Sequence, residues 1–105
     1  MIKNTFGIED TIINSLREIF LQYPEIEKVL IYGSRAKGSY SKGSDIDIVI
    51  IAPQMDFSHY LKLYAQLDEL EIPYTLDVTK YELIGENIKS HIQRVGVEIY
   101  KHNHK

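Results

Sequence analysis

Gly33-Ser34-Arg35-Ala36-Lys37-Gly38 is followed, across residues 39–43, by Ser44-Asp45-Ile46-Asp47 and the apolar run Ile48-Val49-Ile50-Ile51. The first part is a small-residue turn able to receive a phosphate, and the second sets two carboxylates at the mouth of a buried strand. Residues i and i+2 of a strand project from one face. Asp45 and Asp47 are therefore predicted to point together, about 6.6 Å apart at roughly 3.3 Å of rise per residue. Like charges held that close oppose each other's ionisation, and a divalent cation is their common counterpart. The stretch predicts a metal-dependent enzyme that handles phosphate.

The flanking sequence supplies a frame for this motif. Glu27 to Tyr32 reads as a first strand running straight into Gly33, with a short helix starting at Ser34 or Arg35. Residues 38–44 are turn-rich and return the chain to the sheet. Asp45 to Ile51 reads as the second strand. Beyond the acids, Val49 and Ile51 on one side and Ile46, Ile48 and Ile50 on the other are all apolar, the pattern of a central strand covered on both faces. Pro53 closes it.

Upstream, Ile8, Ile12, Leu16, Ile19 and Tyr23 recur at helical spacing, with Ile13 and Phe20 widening the stripe. Pro24 ends that helix, because the residue before proline is pushed out of the α region. Downstream, Phe57, Tyr60, Leu61, Tyr64, Leu67 and Leu70 mark a long helix capped by Asp56 or Ser58. Tyr74 to Thr79 alternates like a strand, with Tyr74, Leu76 and Val78 on one face and Thr75, Asp77 and Thr79 on the other. Ile84, Ile88, Ile92 and Val95 make a final helix stopped by Gly96, and Val97 to Tyr100 reads as a short extended tail.

A length of 105 residues allows one domain spanning 1–105 with one core. The absence of cysteine excludes disulfides and thiolate metal sites and suits a cytoplasmic protein. Ile46 to Ala52 is too short to span a bilayer, and the N-terminus lacks the apolar region of a secretory signal. A net charge of -3 argues against a free-standing grip on nucleic acid, whose binders usually carry a basic face. A bound cation would invert the local sign at an acidic site, so phosphate in one pocket stays compatible with this balance. The eight tyrosines read as amphipathic core and rim in preference to a contact surface.

Other chemistries fail on spacing. A Walker A loop requires Gly-Lys-Ser/Thr where this chain has Gly38-Ser39-Tyr40. An EF-hand requires oxygen ligands and glycine where Val49 and Ile50 stand. No His-x3-His or His-Glu pair offers a zinc site, and His102 and His104 read as solvated chain ends. A glycosidase acid pair leaves the glycine turn unexplained. Gly33-Ser34 taken singly matches many strand-to-helix turns, and it is the acids that give it weight. A bare polar strand edge or an N-cap explains Asp45 and Asp47 poorly, since no helix follows and the strand enters a two-sided core. Asp77, mid-strand among Tyr74, Leu76 and Val78, is the third acidic candidate, because a lone carboxylate there is costly unless paired or metal-bound. An exposed-edge aspartate is its plainer reading.

Gly33-Ser34, Ser44-Asp45-x-Asp47 and the later strand residue Asp77 resemble the nucleotidyltransferase superfamily that includes DNA polymerase beta. The short length and the wording Gly-Ser-Arg-Ala-Lys-Gly are most similar to its stand-alone minimal nucleotidyltransferases, and the resemblance covers essentially the whole chain. It implies an α+β fold with a small mixed β-sheet and helices packed mainly on one face. It also implies that Asp45, Asp47 and Asp77 are catalytic and hold magnesium, in all two ions. Gly33, Ser34 and Ser44 would bind the nucleotide, ATP, with the outer phosphates at Gly33 and Ser34. Arg35 and Lys37 receive no role.

Larger members of the superfamily carry extra domains for their acceptors, and this chain is read as having none. In the minimal family the acceptor is supplied by a helical HEPN-type partner protein. The resemblance therefore implies an antitoxin that silences a HEPN ribonuclease by attaching AMP to a tyrosine. The alternatives are a non-catalytic module that neutralises the partner by contact, or a transferase acting on a small molecule or RNA end. Homo- or hetero-oligomerisation is left open.

Overall fold

Ile46–Ile51 (β2) lies in the interior of a four-stranded sheet, as its two apolar faces require. The computed structural model describes residues 6–41 and 43–102. Lys28–Tyr32 (β1) pairs antiparallel with β2, setting Ile31 opposite Ile48 and Tyr32 opposite Asp47. Leu76–Lys80 (β3) pairs with β2 in parallel and sets Asp77 beside Asp47. Val97–Lys101 (β4) runs antiparallel along the free edge of β1, so the order is β3-β2-β1-β4. The sheet is mixed and small.

One face of the sheet carries the main core. Val29, Ile31, Ile46, Ile48, Ile50 and Ile99 pack there with Ile13, Leu16 and Phe20 of Asp10–Phe20 (α1) and with Tyr60, Leu63 and Leu67 of Phe57–Asp68 (α3). Each such apolar side chain removed from water contributes about 1.5–3 kcal/mol. The opposite face bears Tyr32, Asp47, Val49, Asp77 and Thr79, because neighbours along a strand alternate. There Glu86–Val95 (α4) sets His91 edge-on to the Tyr32 ring, at 6.5 Å between centroids. Val49 and Ile92 are buried apart from the main core cluster. The acids thus sit on the sparsely covered face.

The first helix is shorter than its apolar stripe. Ile8 and Tyr23 are buried but flank α1, and the helix stops at Phe20, ahead of Pro24. The Ile26 N–H donates to Tyr23 O at 3.0 Å in the turn that feeds β1. The last helix is also narrower than expected: Ile84 precedes α4, and Ile88 is 46% exposed while Ile92 is buried. Among the described residues no helix is long and apolar enough to cross a membrane.

The segment read as a tail is the fourth strand. Its register with β1 shifts between Val29 and Leu30, a bulge that lets both Ile99 and Tyr100 enter the core. Arg17 Nε donates to Ile99 O at 2.7 Å. His102, expected to be a solvated end, continues the sheet through its N–H to Glu27 O at 2.9 Å. His104, Lys42 of the 38–44 turn and the opening residues 1–5 lie outside the described residues.

Asp56 is the α3 cap; its carboxylate accepts the His59 N–H at 2.7 Å. Asp56→Ala should cost about 1 kcal/mol, the usual value of an N-cap oxygen. Thermal unfolding followed by circular dichroism should then show Tm lower by about 4–8 °C. Ser58→Ala should stay within about 0.5 kcal/mol of the parent.

Candidate active site

β1 delivers the chain into Gly33, whose φ of 75° and ψ of −152° lie in a region open essentially to glycine. A Cβ built at Gly33 would collide with Asp47 Oδ2. The Asp47 carboxylate therefore occupies the volume that any other residue would fill. Ser34–Lys37 (α2) begins immediately afterwards, and Gly38 closes it in the left-handed conformation at φ 83°. The Ser39 N–H donates to Ser34 O at 3.0 Å. Ser34 is half-buried and Lys37 exposed.

Asp47 and Asp77 stand at one register on parallel neighbouring strands, with Tyr32 completing the row from β1. Burial is the first cause holding Asp47 above the ordinary carboxylate value of 3.8. The charges of Asp77 and Asp45 follow, and a side-chain hydrogen bond with Asp77 adds to them. Tyr32 is raised too, first by burial and also by Asp77 and Asp47, against the lowering effect of its bond to Thr79. Tyr32 Oη and Thr79 Oγ1 are 3.4 Å apart. No lysine or arginine among the described residues forms an ion pair with any of the three acids.

One expectation needs correction. Asp45 is not in the strand: pairing starts with the Ile46 N–H to Thr75 O at 2.9 Å, and Asp45 precedes it as an exposed residue. The spacing along a single strand therefore does not describe Asp45 and Asp47. Asp77 is exposed on an edge strand, its plainer reading, and stands beside Asp47. Ser44 is committed to the turn. Its hydroxyl accepts the Ser41 N–H at 2.8 Å and lies 3.2 Å from Ser41 Oγ.

Among the described residues no three His, Cys, Asp or Glu side chains are gathered closely enough to cage an ion. The donor chemistry nevertheless fits a hard divalent cation: oxygens only, uncompensated charge, and a carboxyl pair already in contact. Magnesium is commonly held by one or two carboxylates, with substrate phosphates and water completing the shell. An open set of this kind meets that requirement.

Sequence reading missed two residues beside these acids. Tyr32 becomes visible only once the β1–β2 register is known. Arg35 is 2% exposed, although nothing in Gly-Ser-Arg-Ala-Lys-Gly distinguishes it from a solvated cation.

The polymerase beta nucleotidyltransferase family matches residues 14–105. A Haemophilus influenzae protein named a probable protein adenylyltransferase, MntA, is 32% identical over 72 residues, covering 68% of this chain and 63% of that protein. The chain thus spans less than two thirds of that relative's length. A toxin–antitoxin crystal structure with AMP-PNP superposes with a TM-score of 0.70 at 17% identity, covering 86% of this chain and 73% of the other. A complex of a tri-AMPylated Shewanella oneidensis HEPN toxin with an MNT antitoxin gives 0.56 at 17% identity, covering 86% and 70%. At such identities the superpositions speak for the fold. Because the family match runs from within α1 through β4, the chain belongs to the polymerase beta nucleotidyltransferase family.

Proposed function

We propose that this chain is a magnesium-dependent nucleotidyltransferase that moves AMP from ATP onto a tyrosine hydroxyl of a HEPN-type partner, acting in the cytoplasm as its antitoxin. The observation that carries this reading is the Asp47–Asp77 pair. Two carboxylates held at one register, without a lysine or arginine partner and with one pushed above the ordinary carboxylate value first by burial and then by its acidic neighbours, are a poor structural choice and a good ligand set. The names of the Haemophilus relative and of the superposed complexes support the acceptor class.

In this reading Asp45, Asp47 and Asp77 would hold two magnesium ions, and Gly33 and Ser34 would receive the outer phosphates. The metal would lower the pKa of the attacking hydroxyl and neutralise charge on the departing pyrophosphate. Gly33 admits the phosphate chain closely because it has no side chain. Asp77, exposed at the sheet edge, takes the hydroxyl proton. A bond forms from the acceptor oxygen to the α-phosphorus, and the bond from that phosphorus to the oxygen bridging to the β-phosphate breaks, releasing pyrophosphate.

Co-expression with the neighbouring open reading frame, pull-down and intact-mass measurement test the proposal. The partner should be heavier by one or more AMP units, and the added mass should disappear in Asp45→Asn and Asp47→Asn. A stable complex with an unmodified partner would select neutralisation by contact. AMP transfer to a metabolite or an RNA end without any complex would assign a different acceptor.

A further inference from the structure

Arg35 is a buried cation without a carboxylate partner among the described residues. Burying a charge in this way is costly unless hydrogen bonds replace its hydration. Here carbonyl groups do so. Nε and Nη2 donate to Ser44 O at 3.2 and 2.8 Å, and Nη1 donates to Phe6 O at 2.8 Å. Its Cζ lies over the Tyr40 and Tyr74 rings, 5.0 and 4.9 Å from their centroids. Tyr74 Oη donates to Gly7 O at 3.2 Å, and the Tyr40 ring leaves no room for a side chain at Gly7. One side chain therefore ties the α2 turn, the segment before β2 and the N-terminal approach into a single unit.

The tie falls at a particular place. Ser44 O belongs to the peptide plane that ends at the Asp45 Cα, because the peptide unit is planar. The next plane, from Asp45 to Ile46, is held by the Ile46 N–H to Thr75 O. Both planes flanking Asp45 are thus fixed, one by sheet pairing and the other by Arg35. Asp45 itself is exposed and outside the strand, so these two planes are what orients it. Arg35 is also next to Ser34 in sequence, so the same residue relates the phosphate turn to the acid.

We infer that Arg35 is a positioning residue for nucleotidyl transfer, locking the Ser44–Asp45 peptide so that Asp45 faces Asp47 and Asp77. This rests on the functional reading above. A guanidinium whose Nε, Nη1 and Nη2 all donate to backbone carbonyls inside the protein is committed to the fold and not to the nucleotide. Lysine, a point donor without the planar fork, cannot serve both carbonyls in this geometry.

The test compares Arg35→Lys with the parent and with Asp56→Ala, a variant destabilised away from the site. Amide exchange by NMR, without metal or nucleotide, should speed up on the order of tenfold or more at Ser44, Asp45 and Ile46 in Arg35→Lys while the β1 amides stay unchanged. Mn2+ binding to the free protein should weaken, and kcat for transfer should fall on the order of 10- to 100-fold with KM for ATP little changed. Asp56→Ala should leave kcat and Mn2+ binding at parental levels. Exchange that rises uniformly across the sheet, or does not change, overturns the inference. So does a raised KM for ATP with unchanged kcat, which would place Arg35 on the nucleotide. If the parent neither transfers AMP nor binds Mn2+, the functional reading fails, while the exchange comparison still decides whether Arg35 locks the peptide.

Discussion

Asp47→Asn should lower AMP transfer by at least about 100-fold, while raising the Tm of the metal-free protein at neutral pH. The activity loss follows from removing a hard ligand at the centre of the site, since groups one shell further from a metal already cost 10- to 100-fold. The gain in stability follows from linkage. Burial, the charges of Asp77 and Asp45 and the shared hydrogen bond hold Asp47 above 3.8. The folded state then binds the proton more tightly than the unfolded chain does. This contribution is fully present below the ordinary carboxylate value and is lost as pH rises through the raised one. At neutral pH the ionised Asp47 opposes folding, and the amide relieves it. Thermal scans in chelator should show the variant above the parent at pH 7, with the gap closing as pH falls into the carboxylate range. Magnesium should raise the parent's Tm and leave the variant's almost unmoved, because only a ligand bound to the folded state stabilises it. A variant that retains parental transfer, or that loses stability in chelator, would remove Asp47 from the centre of the site.

Gly33→Ala should cost both stability and activity. The backbone region alone carries about 1–3 kcal/mol for a residue with a Cβ, and the new methyl meets Asp47 Oδ2. Relief of that collision must rotate the carboxylate away from Asp77 or pull β1 from β2. Urea denaturation should therefore show a loss of about 2 kcal/mol or more, and transfer should fall with it. A double-mutant cycle separates the causes, because Asp47→Ala removes the atoms that collide and leaves the backbone cost in place. Gly33→Ala should be less destabilising in the Asp47→Ala background than in the parent. Equal losses in both backgrounds would mean that the glycine answers to its dihedral angles alone.

The central strand was legible because Ile46, Ile48, Ile50 and Val49 are apolar on both faces, and only an interior position buries both. The β3 face assignment was legible for the same reason: period two placed Asp77 and Thr79 away from Tyr74, Leu76 and Val78. The stripe of α1 ran past both helix ends, since Ile8 and Tyr23 reach the same core from extended or turn backbone. Val97 to Tyr100 reads as a tail because a short alternating segment carries no sign of a partner. Its identity as β4 depends on β1 offering a free edge and on a bulge that turns two successive side chains inward.

At the site the division is sharper. Glycine before a short helix and aspartates before an apolar run are local patterns, and local backbone chemistry is enough to propose what they do. The company those residues keep is not local. The pairing of Asp47 with Asp77 arises from a parallel register between strands far apart in the chain, and no spacing rule contains it. Asp45 sits outside β2 because the first ladder bond starts one residue later, at Ile46. Arg35 is a surface cation on every sequence criterion, and it becomes a buried clamp because Phe6, Tyr74 and the turn carrying Tyr40 and Ser44 converge on it from three separate segments. Residue type and period follow from the chain one neighbour at a time. Burial, register and charge environment are set by which distant segments share a volume, and that is a property of the folded molecule.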